Sequence, residues 1–224
     1  MEKAISAKTQ DTRTRILEVA HELFLEHGFE KTTMRRIAQK AHLAPGAAYY
    51  YFKSKDHIVF YYYEQAYDEH LPGAREILRK KRSLQSRIAG VIKAHLDVAQ
   101  PYQPIARALF KTASNPRHPL SPFSDESTKL RQKNIELFRE ALSGSNKKLS
   151  KMLLEHVPDM LWMYKMGVIF YWIFDNSPST EKTYRLIDKT TSLIVKLIKI
   201  SNLPIVRGFA MQMMRVFQEF KPYD

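Results

Sequence analysis

The sequence predicts an all-α fold of about nine or ten helices, with a small N-terminal three-helix domain ahead of a larger C-terminal helical bundle. Apolar residues return every three or four positions through most of the chain, the spacing that gives a helix one buried face. In residues 31–55 that spacing is compressed into two short segments around a tight turn. The same stretch carries Lys31, Arg35, Arg36, Lys40, Lys53 and Lys55 with no Asp or Glu among them.

The first helix is expected over about 11–27, with Ile16, Leu17, Ala20, Leu23 and Phe24 on its apolar face. Glu18, Glu22, Glu26 and Glu30 form an acidic stripe that phosphate would repel. Gly28 suits a left-handed helix terminus. Thr32 or Thr33 can cap a second helix, because a hydroxyl accepts from an N–H of the first turn. Met34, Ile37, Ala38 and Ala41 give that helix its buried side. Pro45 fits the first position of a third helix, where a missing N–H costs nothing. Gly46, Ala47 and Ala48 keep the start of this helix bare, and Tyr49, Tyr50 and Tyr51 follow with hydroxyls able to donate to phosphate. Such a pair of helices fits a duplex major groove.

Ser54 caps a fourth helix that carries Ile58, Val59, Phe60, Tyr63, Ala66 and Tyr67, until Leu71-Pro72-Gly73 bends or breaks it and a short basic segment, 74–81, follows. The domain boundary is expected early in this helix, giving domains 1–56 and 57–224. A helix over 83–99 turns Ile88, Val91, Ile92, His95 and Leu96 inward, and a short one after Pro104 carries Ile105, Leu109 and Phe110. Residues 114–127, with three prolines and no apolar period, read as a loop, either a pocket cover or a linker. A helix over about 125–142 follows, stopped by Ser143-Gly144. Apolar residues then recur from Leu149 to Trp172, with a kink expected at Pro158. Ser179 or Thr180 caps a helix through Tyr184, Ile187, Thr191, Ile194, Val195 and Ile198. Leu203-Pro204 precedes the last helix, 206–220.

With 44% hydrophobic and 26% charged residues, the composition is that of a soluble globular protein. The absence of cysteine excludes disulfides, thiolate metal sites and a cysteine nucleophile, and suits a reducing cytoplasm. The first fifteen residues lack an apolar core and predict no signal peptide. The most apolar run, 160–174, is interrupted by Lys165 and is short for a bilayer, so no membrane partner is expected. The net charge is +13, of which residues 1–60 contribute +3, from ten Lys or Arg and seven Asp or Glu. The remaining basic excess either favours encounter with DNA or serves solubility.

Thr12-Arg13, Ile16-Leu17, Ala20, Leu23-Phe24, Gly28-Phe29, Thr32-Thr33, Ile37-Ala38, Ala41, Gly46, Tyr49-Tyr50-Tyr51-Phe52 and Ser54-Lys55 lie at consistent spacing. This pattern resembles the N-terminal DNA-binding domain of the TetR family of bacterial transcriptional regulators. The resemblance implies a cytoplasmic homodimer, paired through C-terminal helices, that binds a double-stranded operator and is released from it by a small-molecule effector. It further implies that Thr33, Tyr49, Tyr51 and Lys55 hold phosphates, that Arg35 reads a base, and that Gly46, Ala47 and Tyr50 line the leading edge of the recognition helix. The family often has Ser or Thr where this chain has Ala44 and Ala47.

Tyr63, Tyr67, Phe110, Trp162, Met163, Met166 and Phe170 are aromatic or methionine positions suited to an apolar effector cavity. No HExxH, clustered carboxylate set, Ser-His-Asp arrangement or glycine-rich phosphate loop appears, so neither an enzyme nor a cofactor or metal is expected. The alternative to a repressor is a carrier of the same fold that holds a lipid or hydrophobic metabolite without reading DNA.

Overall fold

A computed structural model describes residues 2–201, 203 and 205–220, with residues 2–8, 207 and 210 described in backbone only; Pro204 lies outside the described residues. Ten α-helices run through them: α1 (Glu2–His27), α2 (Met34–Lys40), α3 (Ala47–Tyr51), α4 (Lys55–Lys80), α5 (Leu84–Ala99), α6 (Gln103–Ala113), α7 (Thr128–Ser143), α8 (Lys151–Phe174), α9 (Glu181–Ser201) and α10 (Arg207–Phe220). No described residue is in a strand, and no described helix is long and apolar enough to cross a membrane.

The chain separates into two units, one of residues 1–65 and 102–121, the other of residues 66–101 and 122–224. The division differs from the expected boundary at 56/57. The first unit also takes in the opening turns of α4 and the returning helix α6, whose Ile105 and Leu109 sink into its core.

In the first unit Ile16, Ala20 and Phe24 of α1, Ile37 and Ala38 of α2, Ala48 and Phe52 around α3, and Ile58 of α4 are fully buried together. The Gly28 φ of 77° turns the chain out of α1 as its sequence position predicts, and the Gly28 N–H donates to the Phe24 carbonyl. Thr32 is not the cap of α2. Its buried hydroxyl donates to the carbonyls of Leu23 (3.1 Å) and Gly28 (2.9 Å), which pins the loop to the end of α1. Thr33 is the cap, its Oγ1 accepting from the Arg36 N–H at 3.2 Å. The third helix starts later than expected, at Ala47, with Pro45 in the preceding turn. Leu120, from the predicted loop, is also fully buried in this core.

In the second unit the expected inner face of α5 holds, with Ile88, Val91, Ile92 and Leu96 buried. α7 packs on α5 and α8, and α9 packs on α5 and α8. α4 does not end at Leu71-Pro72-Gly73: it continues as one helix to Lys80, so the expected basic segment is its last part. The helix persists because Ala74 and Leu78, just beyond the proline, are buried. Where α4 meets α5, Gly90 permits the approach, since a Cβ there would sit 2.5 Å from Ile77 Cγ2. The buried Arg87 guanidinium joins three segments, donating to the carbonyls of Ala141 (2.7 Å), Glu140 (2.7 Å), Lys81 (2.9 Å) and Leu78.

The N-terminus of α9 is satisfied differently from the expectation. Ser179 and Thr180 adopt left-handed φ values of 49° and 52°. Asp175 accepts instead, from the N–H groups of Ser177 and Thr183 and from both their hydroxyls. Its burial opposes ionisation, but these hydrogen bonds outweigh burial and hold its pKa down at about 2.

Candidate functional site

The short helix α3 presents exposed hydroxyl donors. Tyr49 is 54% exposed and Tyr50 84% exposed, while Ala48 between α3 and the core is fully buried. Burying the small residue fixes the helix, and the two phenols project from the opposite side. Tyr51 is half-buried, its ring edge-on to Tyr50 with centroids 5.3 Å apart, and it packs on the core. Of the predicted contact residues, Thr33, Arg35, Gly46, Tyr49 and Tyr50 are exposed, and Ala47, Tyr51 and Lys55 are half-buried. All eight belong to the first unit.

Three of the cations are engaged within the head. Lys55 extends its ammonium over the Phe29 ring, 4.1 Å from the centroid, and donates to the carbonyls of Phe29 (2.8 Å) and Glu30 (3.5 Å). It thus ties the start of α4 to the loop before α2. Arg36 donates to the Lys31 carbonyl at 3.4 Å. Lys40 pairs with Glu22 (3.1 Å) and Glu26 (3.6 Å), and the hydrogen bond to Glu22 raises its pKa. The acidic stripe of α1 therefore neutralises part of the charge counted in residues 31–55. The four-residue spacing of Glu22 and Glu26 was the signal for that pairing. No side-chain hydrogen bond caps α3, in keeping with Ala44 and Gly46 before it.

The seven predicted effector-lining residues are divided between the units. Tyr63 and Phe110 belong to the first, where burial pushes the Tyr63 phenol up to about 12. Tyr67, Trp162, Met163, Met166 and Phe170 belong to the second. Trp162 and Tyr67 are buried, and Met163 and Met166 are half-buried. Phe170 does not join them. It is 54% exposed, edge-on to Phe174 at 5.7 Å, and lies on the outside of α8.

Sequence reasoning passed over the polar residues of this interior. Lys165 is 2% exposed in the middle of α8 and donates to Asn134 Oδ1 of α7 at 2.6 Å. His70 of α4 is 1% exposed. Its ring lies edge-on to those of Tyr67 (5.1 Å) and His95 (5.0 Å). The signal was present: one lysine interrupts the most apolar run of the chain, and one histidine sits on the inner face of α5.

Residues 87–213 match the family model described as the tetracycline repressor-like C-terminal domain, and residues 16–62 match that of the bacterial regulatory proteins of the tetR family. The HTH-type transcriptional regulator UidR of Escherichia coli (strain K12) is 38% identical over 55 residues, 25% of this chain and 28% of that protein. The fatty acid metabolism regulator protein of Bacillus subtilis (strain 168) is 26% identical over 83 residues, 37% of this chain and 43% of that one. The chain thus spans less than half the length of these curated relatives. Among solved structures, the TetR transcriptional regulator from Nitrosomonas europaea ATCC 19718 superposes with a TM-score of 0.64 at 18% identity, covering 81% of this chain and 96% of the other. The fatty acid degradation regulator FadR from Bacillus halodurans gives 0.59 at 14% identity, covering 80% and 94%. Likeness at such identities establishes the fold. With one family model matched over more than half of its residues and a second over its N-terminal head, the chain belongs to the TetR family.

Proposed function

We propose that the protein is a homodimeric transcriptional regulator, most simply a repressor, whose first unit binds an operator and whose second unit binds a small hydrophobic effector. The observation that carries the reading is the pair of exposed phenols on α3, set behind a bare Gly46-Ala47 start on a fully buried Ala48. Tyr49 and Tyr51 donate to phosphates, as does Lys55 with the donor capacity left by its two carbonyl contacts. Thr33 and the backbone at the start of α2 add another phosphate contact. Such contacts set register without reading sequence. Arg35 makes a bidentate contact to a guanine, and Tyr50, Gly46 and Ala47 meet base edges, Ala47 offering a methyl to thymine.

Dimerisation falls to the C-terminal helices. Leu193, Leu197 and Ile200, at helical spacing on α9, are 57%, 63% and 49% exposed, and Phe170 and Phe174 of α8 are exposed as well. Apolar stripes of this extent are characteristic of protein interfaces. One similar protein is named for the regulation of fatty acid metabolism and another for that of fatty acid degradation, which favours a hydrophobic effector for this chain.

Selection from a pool of random duplexes with the purified protein tests the reading. It should enrich a two-fold symmetric sequence whose half-sites lie about one helical turn or slightly more apart. A pool that stays random after repeated rounds would leave the carrier reading in place.

A further inference from the structure

Within the second unit three basic side chains meet; among the described residues the acid whose charge reaches them is the exposed Asp68, which acts on His70 and on neither of the others. Among the described residues Lys165 of α8 has a single hydrogen-bond partner, the neutral Asn134 amide, whose own Nδ2 is held by the Leu130 carbonyl at 2.9 Å. No Asp or Glu forms an ion pair with Lys165 among the described residues, and burial alone brings its pKa down to about 7. His70 Nδ1 donates to the Ala66 carbonyl at 3.0 Å, while His70 Nε2 is buried with no partner. His95 Nδ1 is likewise buried with no partner. The charge of Lys165 bears on both rings, whose pKa values burial has already lowered, that of His70 to about 4.

Buried polar atoms are ordinarily paired, and two unmet ring nitrogens beside a buried lysine without an acid partner mark a site built around something else. The walls are apolar: Leu161, Trp162 and Val168, one turn on either side of Lys165, are each 2% exposed. His95 as a whole residue is half-buried, although its Nδ1 is buried. Because Lys165 has no negative partner, a ligand completing this cluster is apolar along its body and ends in a small acceptor that brings negative charge.

We infer that Lys165, oriented by Asn134 and set beside His70 and His95, holds the carboxylate of a hydrophobic organic acid, the acid head being what selects the effector. This rests on the reading of the second unit as the effector-binding unit. The carboxylate oxygens accept from the Lys165 ammonium and from His95 Nδ1 where that nitrogen carries the ring proton, whereas His70, with its proton on Nδ1, leaves Nε2 as an acceptor. A neutral Lys165 amine gains one proton as the acid binds, so that an ammonium–carboxylate pair forms and no lone charge is left buried. A neutral alcohol of the same chain length has nothing to offer this proton balance.

The test is calorimetric titration of the full-length protein at pH 8 with straight-chain alkanoates of eight to sixteen carbons and their matched 1-alkanols. Each titration is repeated in buffers of different ionisation enthalpy. The expected result is at least one acid bound tenfold or more tighter than its alcohol, with about one proton taken up per site. A surface lysine, already charged at pH 8, would take up none. Lys165→Met should bind the acid and the alcohol alike and take up no proton. If every acid in the wild-type series binds no better than its alcohol, or binds without proton uptake, the inference is overturned. Because no DNA enters these titrations, acid binding without operator binding would sink the regulator reading and leave this one standing. The reverse outcome would do the opposite.

Discussion

Two residues in the head separate positioning from reading. Lys55 holds the carbonyls of Phe29 and Glu30 and, in the proposed complex, a phosphate, so it serves both the fold and the interface. Lys55→Ala should lower stability by about 1.5–3 kcal/mol, the range for a hydrogen bond to a charged donor. It should also weaken binding to all duplexes alike. Arg35 is exposed and serves no core contact. Arg35→Ala should leave the melting temperature unchanged and relax preference at one base position, by about 1–3 kcal/mol. Denaturation curves beside binding isotherms on single-base variants of the operator distinguish the two. Equal effects on all sequences from both substitutions would mean that Arg35 reads nothing.

At the scale of the helices, two of the capping residues were legible and the interruptions were not. Thr33 and Ser54 each accept from an N–H of the first turn that follows, as their positions before apolar periods predict, and Ser83 and Ser150, which the sequence reading did not single out, do the same. Pro72 was misleading because a proline in a helix removes one hydrogen bond, yet burial beyond it carries α4 onward. The cap of α9 was missed because Asp175 lies eight residues before Thr183, across two left-handed residues that no local rule anticipates. Asp175→Ala should cost about 1–2 kcal/mol in urea denaturation at pH 7. A loss of a few tenths would mean that Ser177, which accepts from the Lys182 N–H at 3.1 Å, suffices alone. The exposed stripe of α9 makes a separate prediction. Leu197→Glu should convert the dimer to monomer in analytical ultracentrifugation with little loss of helicity, and an unchanged dimer would move the interface elsewhere.

For the whole molecule, the buried basic groups set how stability follows pH. The folded pKa of His70, about 4, lies below its ordinary 6.5, and that of Lys165, about 7, lies below its ordinary 10.5. Between each pair of values the unfolded chain binds a proton that the folded chain does not, so stability rises with pH in both windows. Urea denaturation should show a more stable protein at pH 9 than at pH 7, by on the order of 2 kcal/mol from Lys165. Lys165→Met should flatten that limb while leaving the rise from pH 4 to 6.5. A wild-type curve level between pH 7 and 9 would mean that Lys165 is charged and solvated.

The head was readable from sequence because its residues lie within one continuous stretch, where spacing, charge and small side chains can be judged together. The interior of the second unit was not, since His70, His95, Asn134 and Lys165 come from four helices and no local pattern links them. Leu120 is a smaller case of the same kind: one apolar residue among prolines has no period, yet it is fully buried.

The central claim, that α3 carries the protein onto a duplex, is tested most directly by fluorescence anisotropy with DNA from upstream of its own gene and a scrambled duplex of equal length. Titrations at 50 and 200 mM salt should show the native sequence bound about a thousandfold or more tightly than the scrambled one, with both affinities falling steeply as salt rises. Equal affinity for the two duplexes at both salt concentrations would contradict it.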